Sequence, residues 1–306
     1  MKILALTVLT VISVAVITYP LISNYLSERN RSLIETQYTE TVRLMDTEAL
    51  DEAFTAAEEY NRTLLSVPGR PYTKDALIQA AESYDALLNI QKDGIMGYVD
   101  IPIINVSLPM YHGTDDNSLD RGIGHLLGSS LPVGGAGSHC VLTGHSGLAG
   151  QKMFSDLNLL KEGDVFFLRV LNQKLAYRVT ELFTILPEDT EKLMIEGDRD
   201  LCTLVTCTPY GVNSHRLLVR GERTEYEEAS NELQYAEFAP TEESTWGKEY
   251  RRGLAFGGLA VVGTVACAEA VRRLRMRPSR KAPSRRNRPK SSPMRTERKR
   301  GKHEAP

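Results

Sequence analysis

Leu201-Cys202-Thr203-Leu204-Val205-Thr206-Cys207-Thr208-Pro209-Tyr210-Gly211-Val212-Asn213-Ser214-His215-Arg216-Leu217-Leu218-Val219-Arg220-Gly221-Glu222 decides how this chain folds. Two runs rich in β-branched and leucine residues, 201–206 and 216–222, flank a segment carrying Pro209, Gly211 and Asn213, and that pattern reads as strand, turn, strand. The turn holds a cysteine at its entry and an arginine at its exit. A thiol where a strand meets a loop is accessible enough to react, whereas one in the middle of a strand is ordinarily inert packing.

Upstream of this hairpin the same character extends back to Gly97. Short runs rich in Val, Ile, Leu and Tyr at 97–101, 103–109, 138–143, 165–171 and 174–186 are separated by Gly, Pro, Asn and Asp, with a helical turn expected near 152–160. So many short strands predict a closed or nearly closed barrel. Pro102 and Pro109 belong at strand ends or edges, where the missing N–H does no harm.

Cysteine catalysis needs an imidazole that shares the thiol proton and later returns it to a leaving amine. His145, in Thr143-Gly144-His145-Ser146-Gly147, follows the apolar run 138–143, so it too stands at a strand end, 62 residues before Cys207. The two meet if their strands are neighbours. His112, His125 and His215 also lie in or beside loops, and spacing alone leaves them open as partners. Arg216 supplies a permanently charged guanidinium, suited to an oxyanion that forms when a thiolate attacks a carbonyl.

These residues, in their order, resemble the sortase signature, and specifically that of the class C, pilin-polymerising enzymes. The likeness continues through Gly94-Ile95-Met96-Gly97-Tyr98, Leu108-Pro109-Met110-Tyr111-His112-Gly113-Thr114, Gly122-Ile123-Gly124-His125-Leu126 and Ser130-Leu131-Pro132-Val133-Gly134-Gly135. It covers roughly residues 84–222.

The resemblance implies a mainly β fold, an eight-stranded sortase-type barrel spanning 93–223. It also implies two half-reactions: Cys207 attacks the Thr-Gly bond of a Leu-Pro-x-Thr-Gly-type sorting signal, and a lysine amine of a pilin subunit resolves the thioester. His145 then acts as acid and base, Arg216 binds the peptide and its oxyanion, and no metal or organic cofactor is required. A housekeeping sortase that anchors surface proteins to cell-wall precursor is the nearest alternative. A non-catalytic membrane scaffold that binds sorting signals is another.

Class C enzymes usually carry an Asp-Pro-aromatic lid over the active site, and the matching place here reads Arg70-Pro71-Tyr72, within a loop at 66–75. The aromatic is kept and the acid is not. Tyr72 is expected to cover Cys207, while Arg70 would repel Arg216 rather than pair with it.

The rest of the chain is read by composition. Ile3 to Ser27 is 25 residues without a charge, long enough to cross a hydrocarbon core of roughly 30 Å. No small-x-small cleavage site follows it, so an uncleaved anchor over 1–27 is expected rather than a signal peptide. Residues 28–92 read as a helical region, its amphipathic pattern broken near Asp46 and Thr47, with a second short helix at 73–89. Residues 224–252 are acidic and read as a linker. Gly253 to Val271 is a weaker apolar stretch, preceded by Arg251 and Arg252 and followed by a tail, 272–306, with 15 Lys and Arg against 2 Glu.

The whole chain carries −2, so the part before that tail stands at −15. A basic cluster of this kind is retained on the cytoplasmic side, which gives an N-in, domain-out, C-in topology at the cell membrane. Anionic lipid headgroups are the expected partner of the tail. Nucleic acid is not, because interleaved aromatics are missing.

Four cysteines without a Cys-x-x-Cys pair make neither a zinc site nor a disulfide framework. Cys140 and Cys202 each stand five residues before a candidate catalytic residue. Five is odd, so in regular strands both point away from the active-site face. If the strands pair side by side the two sulfurs come close, as free thiols or as a disulfide. Cys267 falls in the second apolar stretch and reads as packing.

Overall fold

The computed structural model describes residues 2–66, 84–148, 150–235 and 244–275. Helix α1 (Lys2–Leu44) runs unbroken from the apolar N-terminal stretch into the charged segment, and α2 (Thr47–Ser66) follows after the break expected at Asp46. Eight strands come next: β1 (Ile95–Ile101), β2 (Val106–His112), β3 (Ile123–His125), β4 (Ser138–Gly144), β5 (Val165–Val170), β6 (Gln173–Ile185), β7 (Asp200–Thr208) and β8 (His215–Thr224). They close in the order β1-β2-β3-β4-β7-β8-β6-β5. The pairs β2–β3 and β4–β7 are parallel and the others antiparallel.

Strand parity sorts the side chains. Cys140, Leu142, Cys202 and Leu204 join the main core, with Tyr98, Phe166 and Tyr177 among its fully buried members, while Val141, Val205 and Leu218 face outward into a second cluster with Leu193. The odd spacing read from the sequence therefore holds. Cys140 and Cys202 are register partners across β4 and β7, both buried and both free thiols. Burial, then the hydrogen-bonded Cys140 sulfur beside it, push the Cys202 thiol up, so it stays protonated.

Three expectations need correction. Strand 103–109 is a 3-10 turn at Pro102–Ile104 followed by β2, because Asn105 adopts a left-handed conformation that ends the turn. The three-residue β3 was not anticipated. Part of the acidic linker is folded: α4 (Tyr226–Tyr235) buries Ala229 against Val165, Phe167 and Ala176, and Tyr226 packs edge-on against Phe167. The short helix read at 73–89 and the loop at 66–75 fall almost wholly outside the described residues.

Helix α5 (Thr245–Arg275) contains the second apolar stretch. The chain divides into one unit over 1–254 and a second over 255–306. The second unit is helical through Arg275, exposes Phe256, Leu259, Val262 and Val265, and carries Glu269 paired with Arg272 and Arg273. Among the described residues no helix is long and apolar enough to cross a membrane. The side chains of residues 1–10, and several within 260–271, lie outside the described ones, as does the tail from 276. The two spans expected from the sequence are therefore not established by the fold.

Helix α1 is bound to the barrel along its second half. The Tyr38 hydroxyl donates to Met96 O (3.2 Å) and accepts from Leu171 N–H (3.0 Å), Glu35 pairs with Arg169 at 2.6 Å, and buried Arg31 donates to Gln151 Oε1 (3.1 Å). Within the apolar stretch itself, Asn24 Oδ1 accepts from Lys152 N–H at 3.0 Å.

On the outer face, His139 is sealed beneath the connection between β6 and β7. Its Nδ1 lies 2.7 Å from Met194 O and its Nε2 lies 2.7 Å from Thr203 Oγ1, a pairing that a neutral ring satisfies by donating once and accepting once. Burial is the main cause that depresses this imidazole to about 4; Arg220 and Arg199 add to it, and the Met194 carbonyl and Glu196 oppose it. An unfolded histidine near 6.5 takes up a proton that the folded one refuses, so acid favours the unfolded chain. Stability should fall from pH 6.5 toward 4 and level off below, with a contribution of roughly 3 kcal/mol from this residue. Denaturant unfolding at pH 7 and pH 4.5 should show a smaller loss in His139→Gln than in the parent chain.

Candidate active site

Cys207 stands in β7 one residue before its end and pairs directly across the β7–β8 ladder with Arg216. Directly opposed side chains on one face of an antiparallel pair have Cβ atoms about 5 Å apart. Both residues share the outward parity of Val205 and Leu218. The turn between them is tight: Val212 N–H and Asn213 N–H both donate to Pro209 O at 3.0 Å, Gly211 and Asn213 have positive φ, and the Thr208–Pro209 bond is cis. Arg216 Nη1 donates to Asn213 O (3.2 Å) and His215 O (3.1 Å), which holds the guanidinium at the mouth of the turn.

His145 arrives on the other side of Cys207. The parallel register of β4 and β7 ends at Gly144 opposite Thr206, and His145 and Cys207 are the residues that follow in the two chains. Thr206 Oγ1 donates to Gly144 O at 2.7 Å and pins the two strand ends together. His145 is about a third exposed, and its Nε2 lies 3.8 Å from Asp120 Oδ1. Asp120 is on α3 (Asp116–Arg121), a helix capped by Asp115 accepting from Asn117 and Ser118 N–H. Nothing in the sequence singled out Asp120; an exposed acid in a helix of six residues has no signal of its own. At that distance it is worth less than about 1 kcal/mol to an imidazolium.

His112 and His125 are engaged away from Cys207, while His215 stays beside Arg216. His112 has carbonyl oxygens at both ring nitrogens, Gly94 O at 2.9 Å and Leu87 O at 2.8 Å. His125 is fully buried against Tyr84, 2.8 Å from its Nδ1, and His215 contacts Ser214. His303 lies outside the described residues, as do Arg70, Pro71 and Tyr72.

A cleft of about 200 Å³ opens at Cys207, lined by Ser146, Phe154, Ser155, Asn158, Tyr210, Leu217 and Thr245 among others. Tyr210 is pushed up chiefly by burial and then by Glu249 and Asp156. The cleft depends on Gly144, where an added Cβ would lie 2.8 Å from the Phe154 ring and 2.9 Å from Ile123. Phe154 is fully buried and bonds back to His145 O through its N–H at 3.0 Å. Gly144→Ala should therefore displace the end of β4 and lower any activity that depends on this cleft about 100-fold, since misplacing a reacting group by an ångström costs that much. Turnover and stopped-flow labelling of the Cys207 thiol, measured together, check that the loss lies in geometry and not in thiol access.

A Sortase domain matches residues 99–224. The sortase C of Streptococcus pneumoniae is 42% identical, covers 63% of this chain and 97% of its own, and superposes with a TM-score of 0.57. The chain belongs to the sortase family. Its class C likeness is repeated by the Clostridium perfringens sortase C, solved with the C-terminal cell wall sorting motif, at 39% identity over 63% of this chain and 99% of that one, TM-score 0.54. Sortase A of Listeria monocytogenes is 29% identical over 160 residues, 52% of this chain and 67% of that protein. As a sortase, the chain is a cysteine transpeptidase, and its eight-stranded barrel is the family fold.

Proposed function

We propose that this sortase polymerises pilins, with Cys207 as nucleophile, His145 as acid and base, and Arg216 as the charge that steadies the acyl oxygen. The observation that carries the reading is the sheet order β4-β7-β8, which puts the cysteine between a histidine-bearing strand end and an arginine directly across the ladder. The thiolate attacks the Thr carbonyl of a Leu-Pro-x-Thr-Gly-type signal; negative charge develops on the oxygen on the Arg216 side, and the imidazolium protonates the departing glycine amine. A pilin lysine amine then takes the acyl group from sulfur. Support for pilin and sorting-signal substrates comes from the pneumococcal relative, described for pilin substrate specificity, and the clostridial one, solved with the C-terminal cell wall sorting motif.

The same reading places the barrel outside the cell, held by α1 and α5, with the basic tail inside against anionic lipid. Its support is the run of exposed apolar side chains on α1, from Val11 to Leu26, and on α5, from Phe256 to Val265, which water does not favour. Tyr72 as a lid over Cys207 belongs to this proposal too; Tyr72→Ala should speed labelling of the thiol.

Incubating the protein with a Leu-Pro-x-Thr-Gly peptide and weighing it intact should show an acyl adduct on Cys207. Recovery of unmodified protein at long times, with the thiol free by titration, would sink the assignment.

A further inference from the structure

The outer wall of the Cys207 cleft is made by a residue from beyond the barrel. Thr245 opens α5, and its Oγ1 donates to Asn158 Oδ1 at 3.1 Å. Asp156, whose side chain is 2% exposed, fixes that corner from beneath. One carboxylate oxygen accepts from Thr245 N–H (2.7 Å) and Trp246 N–H (3.3 Å), first-turn donors that no carbonyl within the helix can satisfy. The other pairs with Lys152 Nζ at 3.1 Å. One turn on, Tyr250 stacks on Trp246 and donates to Ile17 O of α1 at 2.6 Å.

The outer wall lies on a definite side of the reaction. Cys207 sits between β4 and β8, so a substrate carbonyl oxygen turned to Arg216 leaves its amine turned to His145. The cleft is lined both by Ser146, Phe154, Ser155 and Asn158, which follow His145 in the chain, and by Pro209, Tyr210 and Leu217 of the turn that leads to Arg216; Thr245 bonds Asn158 and so belongs with the first set, the wall on the amine side.

We propose that Thr245 and Asn158 form part of the acceptor subsite, so that the start of the C-terminal helix helps select the lysine-bearing segment that resolves the thioester. This rests on the transpeptidase reading above. In the step itself the amine nitrogen attacks the thioester carbonyl, the new C–N bond forms as the C–S bond breaks, sulfur leaves as thiolate, and the amine proton passes to the imidazole. Water entering by the same opening gives a carboxylic acid instead, so the ratio of amide to acid reports on the subsite.

The test uses the full chain in detergent with a Leu-Pro-x-Thr-Gly donor peptide and a lysine-bearing acceptor peptide, both products counted by mass spectrometry. Thr245→Trp should fill the cleft and lower the amide-to-acid ratio about tenfold, with the loss appearing in KM for the acceptor; Thr245→Ser should restore the ratio to within about twofold of the parent. Asn158→Leu, on the facing wall, should also lower it and decides the matter if the tryptophan variant unfolds. A ratio unchanged in a folded Thr245→Trp, or in Asn158→Leu where the former does not fold, overturns the subsite. A parent chain that forms no thioester overturns the transpeptidase reading and the subsite with it.

Discussion

A Cys207→Ala chain is expected to lose transpeptidation by a factor on the order of 10⁴ or more, with no acyl adduct and no polymer. The expectation follows from what remains once the sulfur is gone: Arg216 and His145 are still placed, but the thiol proposed to hold the acyl chain between the two half-reactions is missing. Binding of the sorting peptide should survive, because Arg216 keeps its place at the mouth of the turn. Titration calorimetry with the donor peptide and product analysis with both substrates separate the two effects. A Cys207→Ala protein that still built polymers in cells lacking other sortases would return the scaffold reading.

Arg220→Ala should cost about 3 kcal/mol of stability. The arginine is almost fully buried on the outer face of β8, where its Nη1 meets Glu181 Oε2 at 2.7 Å and Glu196 Oε1 at 2.8 Å, its Nη2 meets Lys192 O, and its guanidinium lies over Phe183. Removing it leaves two carboxylates side by side and frees the connection between β6 and β7, which carries the 3-10 turn Glu191–Leu193. That connection leaves β6 at Ile185, the register partner of Arg216, so slack there reaches the site. Hydrogen exchange should rise at 192–196, and chemical denaturation should show the loss. Arg220→Met should lose less, since its chain still packs on Phe183 while the desolvation cost of the cation disappears.

The parts of this fold legible in the sequence were those with a period. Strands β4, β7 and β8 declare themselves by dense β-branched and leucine runs, and the interval of 62 between His145 and Cys207 equals the register offset of the parallel pair that joins them. The same arithmetic set Cys140 beside Cys202. Strand β3 escaped because Ile123, Gly124 and His125 are too few to alternate, and Gly124 is there for close approach: a Cβ would fall 2.3 Å from Gly113 O. Helix α4 escaped because, among its described side chains, Ala229 alone is buried, which leaves no apolar period to read. The site divides in the same way. Cys207, His145 and Arg216 are chemically distinctive residues at strand ends, whereas Asp120, Phe154 and Thr245 join the site from other elements, by packing that no local pattern encodes.

Helix α1 is continuous from its apolar stretch to the contacts at Arg31, Glu35 and Tyr38, and it meets the barrel already at Asn24. Between the last apolar turn and Arg31 there are only about four residues, near 6 Å of helix. With α1 embedded as proposed, the barrel has no slack tether: it neither swings outward nor spins about its stem. On that proposal a substrate must come to the thiol at one fixed height above the lipid.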